Sequence, residues 1–314
     1  MFDISSLNTL LSNLLKEVPD LVAALIIDQE GLIIAQQSVQ GFDEEIIGAI
    51  MSIIEETTTK IKKFTKTSFG SGTFDSEEFR LFYLELGGAH PVLFVLVGVP
   101  YADFEKLLPY AYITAEKVSS ILNNRETSLV IPNLFKTKTG DKYGAQNVFI
   151  KIIIIGDNQV GKSCLVDLYL NGNFANKDYI PTIGVAIAEK EVQISNRLKV
   201  TYALYDMAGS KGLAKIRRYF YKEIKAVLIL FDYSKAKTLE SLSEWIEEVH
   251  HFAESNSIPF ILVGNKIDLI EAREDIKKRA EDMAKRFDCF FFETSAMTGE
   301  GIDELFTSLI TNLS

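Results

Sequence analysis

Gly156-Asp157-Asn158-Gln159-Val160-Gly161-Lys162-Ser163 stands directly behind an apolar run, Ile152 to Ile155. The eight residues fit G-x-x-x-x-G-K-[ST]. A glycine-rich turn between a strand and a helix lets backbone N–H groups converge on phosphate oxygens. Lys162 adds a charge for the outer phosphates, and the Ser163 hydroxyl suits Mg²⁺. Cys164 to Leu170 reads as a helix whose N-terminus favours the same anion. Alone, the motif implies a nucleoside triphosphate and leaves base and reaction open.

From Val148 onward, apolar runs alternate with helical patterns. Strands are expected at 148–155, 190–195, 199–206, 225–232, 258–263 and 289–293. Helices are expected at 161–170, 211–222, 238–253, 271–286 and 301–313. Continuous apolar strands such as Val227 to Phe231 predict a mostly parallel six-stranded sheet, buried on both faces. Such an α/β fold binds its ligand at the carboxyl ends of the strands.

Further segments fall at those ends. Asp206-Met207-Ala208-Gly209 closes a strand; the Asp can hold Mg²⁺ through a water, and the Gly209 N–H can reach a γ-phosphate. Asn265-Lys266-Ile267-Asp268 follows the run 258–263. The Asp268 carboxylate can accept from N1–H and the 2-amino group of guanine, a donor pair that adenine lacks. Thr294-Ser295-Ala296 can supply a backbone N–H to guanine O6. Tyr179-Ile180-Pro181-Thr182-Ile183-Gly184 carries a Thr that ligates Mg²⁺ only when a γ-phosphate draws the loop in.

These segments, in this order, resemble the Ras-like small GTPases over residues 148–314. The Rab branch is nearest in Gly156 to Cys164, in Tyr179 to Val185 and in Glu293 to Ala296. The resemblance implies GTP and GDP binding, GTPase activity and Mg²⁺ held by Ser163, Thr182 and Asp206. It implies switch segments near 174–188 and 206–222. Nucleotide contacts are implied for Asn158, Gln159, Val160, Gly161, Lys162, Ser163, Cys164, Phe174, Tyr179, Thr182, Gly209, Asn265, Lys266, Asp268, Ser295 and Ala296. Phe174 matches the aromatic that packs on guanine, with a plain surface aromatic as the alternative. Gln159 reaches the phosphate edge or faces solvent. Lys162, Thr182, Gly209 and Ser210 occupy the catalytic positions.

Ser210 is the main departure, because the family's water-orienting Gln stands there. A Ser hydroxyl is too short to bridge water and γ-phosphate as a carboxamide does. Lys162, Mg²⁺ and the backbone amides remain, so slow intrinsic hydrolysis is expected, with nucleotide binding kept. The competing reading is a scaffold that binds GTP and barely turns it over. Met297 replaces the Lys that commonly follows Ser-Ala, and the first switch reads one residue longer than usual.

The N-terminal part reads differently. Leu7 to Lys16 is an amphipathic helix stopped by Pro19. Apolar runs 21–27 and 31–36 flank Asp28-Gln29-Glu30-Gly31, a hairpin signal. A second helix is expected over 43–62, then strands at 67–74, 79–86 and 92–97 and a helix at 103–122. The order predicts an α+β layer with a five-stranded antiparallel sheet. Gly70, Gly72, Gly87 and Gly88 read as bulges and turns. His90 reads as a loop or surface residue. This order and the texture of residues 7–36 resemble the roadblock domain, with a longin-like or profilin-like domain as the alternative. The resemblance implies homodimers or heterodimers through helix 43–62 and a central strand, and contacts with GTPase effectors and regulators. The apolar stripe on 43–62 is wide enough for an interface; cover by the chain's own second domain is the alternative. The domains are expected at 1–123 and 147–314, with a polar, Pro- and Gly-containing linker at 124–146, partly docked.

The 314 residues carry a net charge of −10 and 47% apolar residues. That balance fits two globular domains and opposes broad binding to nucleic acid or anionic membranes. Two cysteines, Cys164 and Cys289, suggest no disulfide framework and a reducing, cytoplasmic compartment. Cys289 is expected in a core strand. Met1-Phe2 lacks the glycine that myristoylation needs, and Thr311-Asn312-Leu313-Ser314 lacks a prenylation cysteine, so no direct membrane anchor is expected.

Overall fold

A computed structural model describes residues 3–39, 51, 70–88, 91–132, 134, 146–172, 181–195, 198–253, 258–271 and 273–313. The expected helix 43–62 (Met51 excepted), His90, Phe174 and Tyr179 lie outside the described residues. The chain divides into two compact units, Met1–Lys136 and Thr137–Ser314.

In the first unit, α1 (Ile4–Glu17) starts at Asp3, whose carboxylate accepts from the Ser6 N–H. Its stripe Leu7, Leu10, Leu11 and Leu14 is fully buried, at the spacing of one helical face. Strands β1 (Leu21–Asp28) and β2 (Ile33–Ser38) form the expected hairpin. Asp28 Oδ1 accepts from the Glu30 and Leu32 N–H groups, and Gly31 takes a φ of 85°. Strands β3 (Ser71–Asp75), β4 (Arg80–Leu86) and β5 (Val92–Gly98) complete an antiparallel sheet of order β2-β1-β5-β4-β3. The helix α2 (Phe104–Leu122) is capped by Asp103. Ala23, Leu25, Ile27, Leu93, Val95 and Val97 share one sheet face, and Met51 is buried against it.

Gly72 corrects the bulge reading. It sits in regular register opposite Tyr83, and a Cβ there would press on the Tyr83 ring at 2.7 Å. Residues beyond α2 run back over this unit. Asn13 donates to the Leu129 carbonyl, Lys117 to the Ser128 carbonyl, and Ile131 is buried.

The second unit is built on β6 (Gln146–Gly156), flanked by β8 (Leu198–Met207) and β9 (Ala226–Asp232). With β7 (Val185–Ser195), β10 (Phe260–Asn265) and β11 (Phe290–Glu293), the order is β11-β10-β9-β6-β8-β7. Only β7 pairs antiparallel. Helices α3 (Lys162–Asn171), α4 (Ala214–Arg217), α5 (Ala236–Glu240), α6 (Leu242–Phe252), α7 (Glu274–Arg286) and α8 (Ile302–Leu313) complete it. Strand β7 begins five residues before the expected 190. The expected helix 211–222 is a short α4 between two 3₁₀ turns, Lys211–Leu213 and Arg218–Phe220. The expected helix 238–253 is two helices joined at Ser241. Cys289 precedes β11 and is half-buried, not a core strand residue. One core face packs Ile152, Ile154, Leu204, Leu228, Leu230 and Val263 under Leu165, Leu305 and Phe306. Among the described residues, no helix is long and apolar enough to cross a membrane.

Candidate functional site

The turn from β6 to α3 lies at the carboxyl end of the sheet. Gly156 and Gly161 take φ values of 137° and 99°, and a Cβ on either would run into the Leu230 carbonyl or the Asn265 carboxamide. No other residue type fits both demands. Gln159 adopts φ 66° despite its side chain, a local strain of the kind found at functional turns. Its carboxamide faces the exposed edge, where Lys235 Nζ lies 3.4 Å away. Asn158 is exposed and Val160 is fully buried. Cys164 is half-buried, and burial raises its thiol pKa.

Lys162 is buried, and its Nζ donates to the Gly156 and Asp157 carbonyls, both at 2.8 Å. Burial pulls the ammonium down to about 8, against the charges of Asp206 and Asp157. Three oxygen-bearing side chains meet beside it. Ser163 Oγ donates to Asp206 Oδ2 at 2.5 Å and lies 3.3 Å from Thr182 Oγ1. Thr182 Oγ1 reaches the same carboxylate oxygen at 3.5 Å. Asp206 is 2% exposed. Burial pushes its carboxyl up to about 6, while Lys162 and the Ser163 hydrogen bond oppose the rise.

Asp206 Oδ1 is buried without a hydrogen-bond partner. Such an acceptor is costly to bury alone. Two hydroxyls and a carboxylate, with an acceptor to spare, form the hard oxygen set that Mg²⁺ prefers. Among the described residues, no group of three or more His, Cys, Asp or Glu is arranged to hold a metal. Gly209 lies against the turn: a Cβ there would stand 2.6 Å from the Asn158 nitrogen. Backbone therefore faces backbone at this point.

At the other end, Asp268 is exposed and its Oδ1 accepts from Ser295 Oγ at 2.5 Å. Ser295 Oγ also accepts from the Met297 and Thr298 N–H groups, so one hydroxyl orients the loop and the carboxylate together. Lys266, at φ 66°, donates to the Gln159 carbonyl at 2.6 Å and pairs with buried Asp232 at 2.8 Å. Asn265 is 0% exposed. Its Nδ2 donates to the Val160 carbonyl at 2.9 Å, and its Oδ1 accepts from Thr294 Oγ1 and the Ala296 N–H. Its side chain is thus a staple between two loops. Of the backbone N–H groups in Thr294-Ser295-Ala296, that of Ala296 is turned toward this staple.

Two supports escaped the sequence reading. Asp157 accepts from Trp245 Nε1 at 2.9 Å and from Ser241 Oγ at 2.8 Å, which fixes the turn from behind. Arg217 donates to the Ala208 and Ser210 carbonyls and forms a two-point pair with Glu248. The side-chain pairs among them, Asp157 with Ser241 and Trp245 and Arg217 with Glu248, span 31 to 88 residues. The sequence offered one compositional hint, the chain's single Trp; Arg217 itself sits among Lys211, Lys215, Arg218 and Lys222 and does not stand out.

A model of the Ras family matches residues 151–314, and a model of the Roadblock/LC7 domain matches residues 7–74. The chain is 36% identical over 163 residues to the Ras-related protein Rab-30 of Homo sapiens, covering 52% of this chain and 79% of that protein. It is 31% identical over 174 residues to Rab-26 of Bos taurus, covering 55% and 66%. It is also 31% identical over 169 residues to DnaJ homolog subfamily C member 27 of Danio rerio, covering 52% and 61%. The motif turn, the six-stranded sheet and these matches agree, and the chain belongs to the Ras family, with a Roadblock/LC7 domain ahead of its Ras domain.

Proposed function

We propose that the chain is a Mg²⁺-dependent switch that binds GTP and GDP and hydrolyses GTP slowly. The observation that carries this reading is the meeting of Ser163, Thr182 and Asp206 at the start of α3, with Asp206 Oδ1 left without a partner. Ser163 and Thr182 would hold the ion, with Asp206 behind them. When bound, Mg²⁺ neutralises charge on the β- and γ-phosphates. Lys162 would turn its third N–H, beyond the two given to the Gly156 and Asp157 carbonyls, to a phosphate oxygen. Asp268, oriented by Ser295, would accept from guanine and refuse adenine. Ser210 would orient water poorly, which makes hydrolysis the slow step.

Release of a fluorescent GDP analogue tests this. Chelating Mg²⁺ should speed release at least about tenfold, and an adenine analogue should not compete. Indifference to Mg²⁺, or equal competition by the adenine nucleotide, would refute the reading.

Ser210 also favours a second reading, a GTP-binding scaffold without turnover. Single-turnover hydrolysis by the full chain separates the two. The first unit (domain 1–123, followed by a linker at 124–146 and the GTPase domain 147–314) would serve assembly as a homodimer or heterodimer. The Roadblock/LC7 match supports that role. Fusion to the GTPase raises the effective concentration of any contact with it. A cytoplasmic setting is supported by the two unpaired cysteines. Light scattering of the full chain tests assembly; a strictly monomeric mass would exclude it.

A further inference from the structure

We propose that Arg217 is a positioning residue that sets the Ala208–Ser210 segment before any triphosphate arrives. Arg217 is 1% exposed. Its Nε and Nη2 donate to the two carboxylate oxygens of Glu248 at 2.7 and 2.6 Å. Its Nη1 donates to the Ala208 carbonyl at 2.9 Å and the Ser210 carbonyl at 2.6 Å. The guanidinium lies 4.5 Å over the Trp245 ring, and Tyr221 donates to Glu248 Oε1 at 2.5 Å. A buried charge of this kind persists only when pairing and hydrogen bonds satisfy it, and here they do.

The consequence follows from peptide planarity. The Ala208 carbonyl and the Gly209 N–H belong to one rigid trans unit and point in opposite directions. Holding the carbonyl toward Arg217 therefore aims the Gly209 N–H away from it. The Ser210 carbonyl fixes the next but one peptide in the same way. Gly209 itself is confined by the Asp157 and Asn158 backbone. Trp245 ties the two sides together, because it stacks on Arg217 and donates to Asp157. In many GTPases such a segment is ordered by the γ-phosphate. Here the protein supplies that order itself, so the nucleotide state would be read mainly at Thr182. The inference rests on the proposed GTP site for its phosphate half only.

Hydrogen exchange of amides 207–221 in the full chain tests it, without nucleotide, with GDP and with a non-hydrolysable GTP analogue. Wild type should show protection within about twofold across the three states. Arg217→Lys keeps a charge but lacks the planar fork, and should exchange about tenfold faster there. Arg217→Met with Glu248→Leu removes both buried charges and guards against misfolding; it should behave like Arg217→Lys. Both variants should lose about tenfold in affinity for the GTP analogue relative to GDP, the effect of one hydrogen bond to a charged group no longer held in place. Wild-type protection that appears only with the analogue would overturn the inference. So would a Lys variant that behaves as wild type, or equal losses for both nucleotides. Should wild type bind no nucleotide, the proposed function fails; the nucleotide-free exchange of wild type against Arg217→Lys still decides the clamp.

Discussion

Asn265→Ala removes a side chain that ties two loops of the second unit together. It donates to the Val160 carbonyl and accepts from Thr294 Oγ1 and the Ala296 N–H, at 2.9, 3.2 and 3.0 Å. Each such bond is worth about 1 kcal/mol net, and a buried group left unpaired costs about 1–3 kcal/mol more. Thr294 is fully buried, as is Asn265, so water does not readily replace the lost partners. The expected destabilisation is about 3–5 kcal/mol, confined to the second unit. For a domain of this size that lowers Tm by about 6–15 °C.

The assay is thermal unfolding of nucleotide-free protein followed by tryptophan fluorescence. Trp245 is the chain's single Trp and lies in the second unit, so the first unit does not obscure the transition. Nucleotide must be stripped, because ligand binding raises Tm by mass action. Thr294→Ala serves as the reference, since it removes one of the three bonds, and should cost about 1 kcal/mol. The staple reasoning is wrong if Asn265→Ala lowers Tm by less than about 3 °C, or by no more than Thr294→Ala does.

Four other outcomes are expected. Ser210→Gln should accelerate single-turnover GTP hydrolysis about tenfold or more if water positioning is the limit; an unchanged rate would exclude that limit. Asp268→Ala should weaken fluorescent GDP binding by about 10²–10⁴-fold, two charge-assisted hydrogen bonds, and a loss under fivefold would remove Asp268 from the base site. Lys151 lies 4.7 Å over the Tyr205 ring, and burial pulls its ammonium from 10.5 down to about 8, with Glu223 opposing. Between those values the unfolded chain holds a proton that the native state has released, so stability should rise with pH from about 8 to 10.5; Lys151→Met should flatten that rise, and an unchanged slope would assign it elsewhere. Burial, helped by Asp288, pushes Cys289 up to about 11, so iodoacetamide at pH 8 should modify it far more slowly than a free thiol does.

The legible parts of this chain are those whose physics is local. Gly156 to Ser163 announces itself because phosphate binding by backbone amides demands a fixed spacing of glycines. Asp206 and Asp268 could be singled out because one closes an apolar strand and the other follows one by three residues, where a fold of this class binds ligands. The Asp28 turn was legible for the same reason: its carboxylate bonds to amides two and four residues on. What escaped depends on long-range closure. Arg217 meets Glu248 across 31 residues, and Asp157 meets Ser241 and Trp245 across 84 and 88. No period or motif encodes such pairs. The break at Ser241 belongs to the same class, since its hydroxyl is committed to Asp157. The segment 211–222 reads as one helix by pattern, yet it winds as a short helix between two 3₁₀ turns, from which Arg217 reaches back to the Ala208 and Ser210 carbonyls.

These supports are unevenly placed, and the unevenness bears on how a nucleotide would be discriminated. The phosphate turn is tied at three points: Asp157 to Ser241 and Trp245, Val160 to Asn265, and Gln159 to Lys266. The base loop is tied by Ser295 and by the same Asn265. Both are held by the protein's own side chains, so the proposed binding of a base and two phosphates should cost little ordering. On the γ-phosphate side, the side-chain contacts of Thr182 among the described residues are long, 3.3 and 3.5 Å to Ser163 and Asp206. Lys162 there spends two of its three N–H donors on backbone carbonyls, which leaves one for a phosphate. A ligand shifts a conformational balance only through differential contacts with the two states. In this chain, the groups free to make such a difference are Thr182 and Lys162, since Gly209 is already fixed through Arg217. The conformational part of the difference between GDP and GTP should therefore depend on Thr182, on top of the fixed contribution of the Gly209 N–H. Thr182→Ala should then lower the GTP-over-GDP preference while leaving GDP release nearly unchanged; a preference that the substitution does not change would place the γ-phosphate sensor elsewhere.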